Sequence, residues 1–335
     1  MASIFNQINL PEPKIQNLKW GNGGREREWM LVVLTGGTGG AKLIHGLSLE
    51  ISSEELCIVC NTGDDFVLHG LHISPDLDTI AYTLGGVADT EKGWGIQGDT
   101  FAALEWLEKY GGESWFKLGD RDLATHITRS RLLREGLTLA QVTERIGKSL
   151  GVKARLLPMS NDPVETKIQT PAGEISFQEY FVKRRWEVEV SGVSYAGAEV
   201  SRLAPGVIEA IRDASAVIVC PSNPVTSIGP ILAVPGIRTA LKETRAPIVA
   251  VSPIIGGAPV SGPADRLMAA AGMDVSSFGV AKAYADFIDF FVLAPEDRDW
   301  RTRIEALGVK TVGKPIRMNT LDDKKNLARE LLALL

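Results

Sequence analysis

Met30-Leu31-Val32-Val33-Leu34, followed at once by Thr35-Gly36-Gly37-Thr38-Gly39-Gly40, decides how the rest of this chain is read. The apolar run contains two β-branched residues and reads as a short strand buried on both faces. The glycines remove side-chain obstruction, so backbone N–H groups can approach an anion. Leu43, Leu47 and Ile51 then share one helical stripe. Leu56-Cys57-Ile58-Val59-Cys60 is a second buried strand. Strand, loop, helix and strand within ~30 residues make the βαβ unit of an open parallel sheet.

Working outward, the runs at 216–220, 247–252 and 290–293 read as further strands. The stretch from Phe101 to Leu150 has helical spacing, and alternation between Ile168 and Val190 around Pro171-Ala172-Gly173 predicts a hairpin. The expected fold is α/β: a Rossmann-like open parallel sheet with a helical insertion and a small β-hairpin element. Residues 1–28 read as an N-terminal extension, 29–100 as the first part of the core, 101–156 as the helical insertion and 157–335 as the remainder with the hairpin.

Composition narrows the function. Of 335 residues, 44% are hydrophobic and 23% charged, which are globular proportions. A net charge of −5 argues against a general nucleic-acid or anionic-membrane binder. The basic triplet Lys183-Arg184-Arg185 reads as a solvated strand end. No apolar run reaches the ~20 residues that span a bilayer, and residues 1–28 lack a signal-peptide core, so the expected location is cytoplasmic. Three cysteines make no disulfide framework. Cys57 and Cys60 lie three apart in a strand, face opposite ways and cannot chelate one metal. His45, His69 and His72 make no zinc spacing with cysteines, and His126 reads as a structural histidine on a helical stretch.

The unusual residues fall just after predicted strands, where open α/β sheets bind ligands. The first loop fails the Walker A pattern, because Ala41 and Leu43 stand where Gly and Ser/Thr are required. It also fails G-x-G-x-x-G at Lys42, which weakens an oxidoreductase reading that Asp64, placed about 20 residues on, would otherwise support. Phosphate binding remains the better reading of the loop. Asn61-Thr62-Gly63-Asp64-Asp65 and Ser74-Pro75-Asp76-Leu77-Asp78-Thr79 supply paired carboxylates suited to Mg²⁺ or to a general base. Asp64 and Asp78 would otherwise be turn or cap residues. In Trp115-Phe116-Lys117-Leu118-Gly119-Asp120-Arg121-Asp122, Lys117 and Arg121 could neutralise a diphosphate while an aromatic covers a flat ring. The same run could equally be a helix entry with exposed charge. The loops 221–228 and 252–257 add Ser and Asn side chains that can hydrogen-bond a nucleotide.

Taken together and in order, TGGTGGAKL (35–43), NTGDD (61–65), SPDLDT (74–79), KLGDRDLATHI (117–127), LPMSNDPVET (157–166), PSNPVTSIGPI (221–231), SPIIGG (252–257) and GVA (279–281) resemble the 2-phospho-L-lactate transferases of coenzyme F-420 synthesis and their phosphoenolpyruvate-using relatives. The resemblance covers nearly everything from residue 30 onward. It implies a Rossmann-like core, a homodimer, and transfer without a redox step. The implied donor is a guanosine diphosphate-linked three-carbon acid, the acceptor is the ribityl hydroxyl of the deazariboflavin Fo, and GMP leaves. Matching motifs imply that Asp78 and Lys117, with Arg121 beside them, engage Fo. Asp64, Asp78 and Lys117 are the catalytic candidates, and Asp64, Asp65 and Asp78 the Mg²⁺ candidates. Gly36, Gly37, Thr38, Gly39, Asn161, Asp162, Asn223, Ser227 and Gly256 are expected on the nucleotide side. The archaeal family pattern has Thr-Pro where this chain has Gly40-Ala41, which leaves phospholactate, phosphoenolpyruvate and phosphoglycerate all open as the donor acid. A nucleotide- or nucleotide-sugar-binding regulator from a sister branch is the alternative reading.

Overall fold

The computed structural model describes residues 29–335; the N-terminal extension, 1–28, lies outside the described residues. Seven parallel strands form the central sheet: β1 (Leu31–Thr35), β2 (Leu56–Cys60), β3 (Arg155–Pro158), β4 (Ala216–Val219), β5 (Ile248–Val251), β6 (Phe290–Leu293) and β7 (Lys310–Gly313). Their spatial order is β7-β6-β5-β4-β1-β2-β3. The strands can be apolar throughout because both faces are covered. Val32, Leu34, Cys57, Val59, Val217 and Val219 enter one core, and Leu31, Val33, Ile58, Cys60 and Ile218 enter the other. Cys57 and Cys60 therefore do face opposite ways.

One core is closed by α1 (Gly37–Ser48) and the helix Leu321–Leu332, through Leu43, Leu47, Leu327 and Leu331. The other is closed by the later helices, which supply Ile211, Ile231, Leu241, Met268 and Ala281. The result is a three-layer α/β molecule.

The chain runs outward from β1 through β2 to β3, then returns to place β4 on the other side of β1. That reversal is the topological switch point, where a crevice opens beyond the carboxyl ends of the strands. Register makes the crevice specific. Thr35 pairs with Cys60 and Leu34 with Val219, so Gly36, Asn61 and Pro221 emerge side by side.

Between β2 and β3 lie a hairpin (Phe66–Leu68 with Leu71–Ile73) and four helices: α2 (Pro75–Leu84), α3 (Ala102–Lys109), α4 (Asp120–Arg134) and α5 (Leu139–Ser149). Several elements differ from the sequence reading. β3 and β7 were not foreseen; they are the two edges of the sheet, and Arg155, Pro158, Lys310 and Gly313 break the apolar run that marks the inner strands. The hairpin at 165–176 is real but belongs to a three-stranded antiparallel sheet completed by Gly192–Ala196. Lys183-Arg184-Arg185 is not a strand end: Lys183 closes a single turn of π-helix, Glu179–Lys183, and a tight turn follows. Among the described residues, no helix is long and apolar enough to cross a membrane.

The α1 helix lies so close to Leu321–Leu332 that a Cβ on Gly46 would meet the Lys324 carbonyl. That neighbour is backbone and cannot rotate away. Gly46→Ala is expected to destabilise the protein by about 1–3 kcal/mol, read as a lower urea midpoint at unchanged m-value.

Candidate active site

The glycine loop opens α1. Gly36 is its extended N-cap residue, and a Cβ there would lie 2.6 Å from Asp76 Oδ2, 2.8 Å from Ser227 Cβ and 3.0 Å from Asn61 Cβ. Only glycine lets these three segments meet. The Asp76 carboxylate is the link: Oδ1 accepts from Gly37 N at 2.8 Å, and Oδ2 accepts from Asn61 Nδ2 at 2.9 Å. Asn61 Nδ2 also donates to the Thr226 carbonyl at 3.2 Å, and Asn61 Oδ1 receives Gly63 N at 2.8 Å. The Ser222 hydroxyl donates to the Gly36 carbonyl at 2.7 Å. Loops after β1, β2 and β4 are thereby bound into one floor.

Sequence reading placed the SPDLDT acids in a loop; they occupy the first turn of a helix instead. Ser74 is the N-cap and Pro75 stands at N1, where its missing N–H costs nothing. Asp76 and Asp78, two residues apart, then point about 200° apart around the axis. Asp76 turns to the glycine loop, while Asp78 turns to α4. There Arg129, 2% exposed, clamps Asp78 with both terminal nitrogens, one of them at 3.0 Å. His126 Nδ1 stands 3.6 Å from Asp78 Oδ2, and its Nε2 stands 3.2 Å from Asp122 Oδ1. The Tyr82 hydroxyl donates to the same Asp122 oxygen at 2.6 Å. Burial alone would raise Asp122, but contacts with His126 and Tyr82 outweigh it and hold the carboxyl below its ordinary range.

Asp64, buried, and Asp65, half-buried, follow β2. Asp65 Oδ2 accepts from the Ser74 hydroxyl at 2.6 Å and lies 2.9 Å from His72 Nε2. Among the described residues, Asp64 Oδ1 has no hydrogen-bond partner. Burial pushes Asp64 well above the usual carboxylate range, and the charges of Asp76 and Asp65 add to the effect. Burial also raises Asp76, to about 6, against hydrogen bonds from Asn61 and Gly37.

Above this floor opens a cleft of about 510 Å³. Of the residues singled out from sequence, Gly36, Gly37, Thr38, Gly39, Asp64, Asp78, Lys117, Asn223 and Ser227 line it. Five others do not reach it. Asp65 is turned to His72 and Ser74, and Arg121 reaches the Gln97 carbonyl. Asn161 accepts from Ala140 N, Asp162 pairs with Arg202, and Gly256 N donates to Asp297 in a separate short hairpin. His126, by contrast, does line it. Asp76, Tyr82 and Arg129 were missed. The Ser74-Pro75 start signal and the i,i+4 spacing of Asp78 and Tyr82 could have found the first two; Arg129 carries no local signal.

A family model described as 2-phospho-L-lactate transferase CofD matches residues 31–327. The chain belongs to this family. Members similar to it include the 2-phospho-L-lactate transferase of Methanosarcina mazei, 44% identical over 89% of this chain and 98% of that protein. The phosphoenolpyruvate transferase of Streptomyces griseus is also 44% identical, over 91% of this chain and 98% of that protein. Among solved structures, a UPF0052 family protein from Bacillus halodurans has a TM-score of 0.61 at 18% identity, covering 92% of this chain and all of that one, a likeness of fold. As a CofD family member the protein is a transferase.

Two expectations follow. Arg129→Met leaves the buried Asp78 carboxylate without its guanidinium, with only His126 nearby, and should cost about 3–5 kcal/mol of unfolding free energy. For Asp76 the folded carboxyl is raised above its unfolded value, so the folded state holds more protons between the ordinary carboxylate range and about 6. Its share of stability therefore falls as pH rises through that window. Thermal melts across it, without divalent cation, should show a flatter slope for Asp76→Asn than for the wild type.

Proposed function

We propose that this protein transfers a phosphorylated three-carbon acid from its guanosine diphosphate conjugate to the ribityl hydroxyl of Fo, releasing GMP. One observation carries the reading: the glycine loop and a set of buried acids share a single cleft at the switch point of the sheet. The names of relatives matched over about nine-tenths of the chain support it. The regulator alternative is not favoured, since these relatives are transferases and the UPF0052 likeness is one of fold.

The backbone of Gly36 to Gly39, at the positive end of α1, suits the donor diphosphate, with Asn223 and Ser227 facing it from beyond β4. Asp64 and Asp76 fit a Mg²⁺ ion: they are buried carboxylates under mutual repulsion, and Asp64 Oδ1 is an unpartnered oxygen. Such an ion would neutralise the diphosphate as charge moves onto the leaving oxygen. Lys117 and Asp78 hold the acceptor. Asp78, kept in place by Arg129, receives the hydroxyl proton as the oxygen attacks the acid-bearing phosphorus. A new P–O bond forms to Fo, the phosphoanhydride bond breaks, and GMP departs with the electron pair.

The decisive assay mixes purified protein, Mg²⁺, Fo and each of the three guanosine diphosphate-linked acids, with products read by mass spectrometry. Fo carrying one acid phosphate, with equimolar GMP, is the expected outcome, and chelation should abolish it. Asp78→Asn should lower kcat by about 10²–10⁴. Full turnover by that variant would remove Asp78 from proton transfer, and no product from any donor would overturn the transferase assignment.

A further inference from the structure

One wall of the cleft has a feature that neither the proton transfer nor the phosphate floor uses. Phe177, Gln178, Phe181 and Val182 line the cleft from the π-helical turn Glu179–Lys183 and the residues before it. The Phe177 and Phe181 rings stack at 5.4 Å and 16°, and Phe181 stacks in turn on Trp186 at 5.1 Å and 25°. The ladder depends on a costly turn. Arg185 and Trp186 have φ of 51° and 49°, two successive side-chain-bearing residues in the left-handed region. The turn is held from several sides. Trp186 N donates to the Tyr180 carbonyl at 2.9 Å, Arg266 donates to the Trp186 carbonyl, and Arg184 pairs with Glu179. Backbone strain and a π-turn that coincide beside a cleft call for a function at that wall.

The ladder's position names its occupant. Lys183 ties this wall to the segment carrying Phe116 and Lys117, through Glu113 at 2.8 Å and over the Trp115 ring at 5.6 Å. The wall therefore stands at the Lys117 end of the cleft. Phe181 has a ring stacked on each face, so it offers the cleft mainly its edge. Aromatic edges carry the positive part of the ring quadrupole and favour the π-face of a flat partner.

We propose that the Phe177–Phe181–Trp186 ladder receives the flat conjugated ring of the acceptor edge-to-face, with Trp186 a positioning residue that acts through Phe181. The proposal rests on the reading of the acceptor as a deazaflavin and adds the element that selects its ring. Trp186, 38% exposed and outside the cleft lining, touches the acceptor only through Phe181.

The test is a titration of Fo fluorescence and a separate GDP titration on wild type, Trp186→Leu, Trp186→Phe and Phe181→Leu, with melting curves and steady-state kinetics. Trp186→Leu should weaken Fo binding about two- to tenfold and raise the KM for Fo with little change in kcat, at wild-type GDP affinity. Trp186→Phe keeps a stacking rung and should recover most of the loss. Phe181→Leu preserves the Trp186 turn and should weaken Fo at least as much, which keeps the test alive if Trp186→Leu folds poorly. Unchanged Fo affinity in folded variants would reduce the ladder to packing, and a loss confined to GDP would reassign the wall to the guanine base. Wild-type protein that binds GDP but not Fo would instead strike the acceptor reading itself, and this proposal with it.

Discussion

The Asp76 carboxylate is the contact on which the cleft depends. It accepts from the first N–H of α1 and from Asn61, while Asn61 reaches on to the Thr226 carbonyl. Three loops that are distant in sequence become one surface through a single buried anion. That placement is costly, since burial and neighbouring acids raise Asp64 and Asp76 together. Burial of like charges at one place holds part of the Asp64 and Asp76 population protonated near neutral pH unless a cation answers them.

The acids divide into two populations according to what answers their charge. Asp78 and Asp122 meet Arg129, His126 and Tyr82 within the fold, and these groups hold them in fixed orientation. Among the described residues, Asp76 meets neutral donors, and Asp64 keeps one oxygen without a partner. The first pair is held by basic side chains of the fold, and among the described residues the second is not. Their separation follows from helix geometry, because two residues of α2 two apart cannot face the same way.

Around this polar floor the walls are aromatic and partly strained. Trp115 and Phe116 pack with Phe66 and Leu118 in a small core of their own, apart from the sheet. Joined to it through Lys183 stands the ladder held by Arg185 and Trp186. Both walls rest on insertions to the sheet rather than on the sheet itself.

Local pattern alone determined the α/β class, the glycine loop on β1, four of the central strands beyond it, and the family through its ordered motifs. Runs buried on both faces and glycines after a strand leave a signature readable within a dozen residues. The edge strands β3 and β7 leave almost none, because polar residues interrupt them and sheet neighbours rather than composition hold them in place. Tertiary structure alone decided which acids share the cleft. It brought Asp76 across to the glycine loop, supplied Arg129 to Asp78 from 51 residues away, and carried Asn161, Asp162, Arg121 and Gly256 elsewhere. A carboxylate's role depends on what it faces, and the facing is set by helix phase and strand register, which the identity of the residue does not encode.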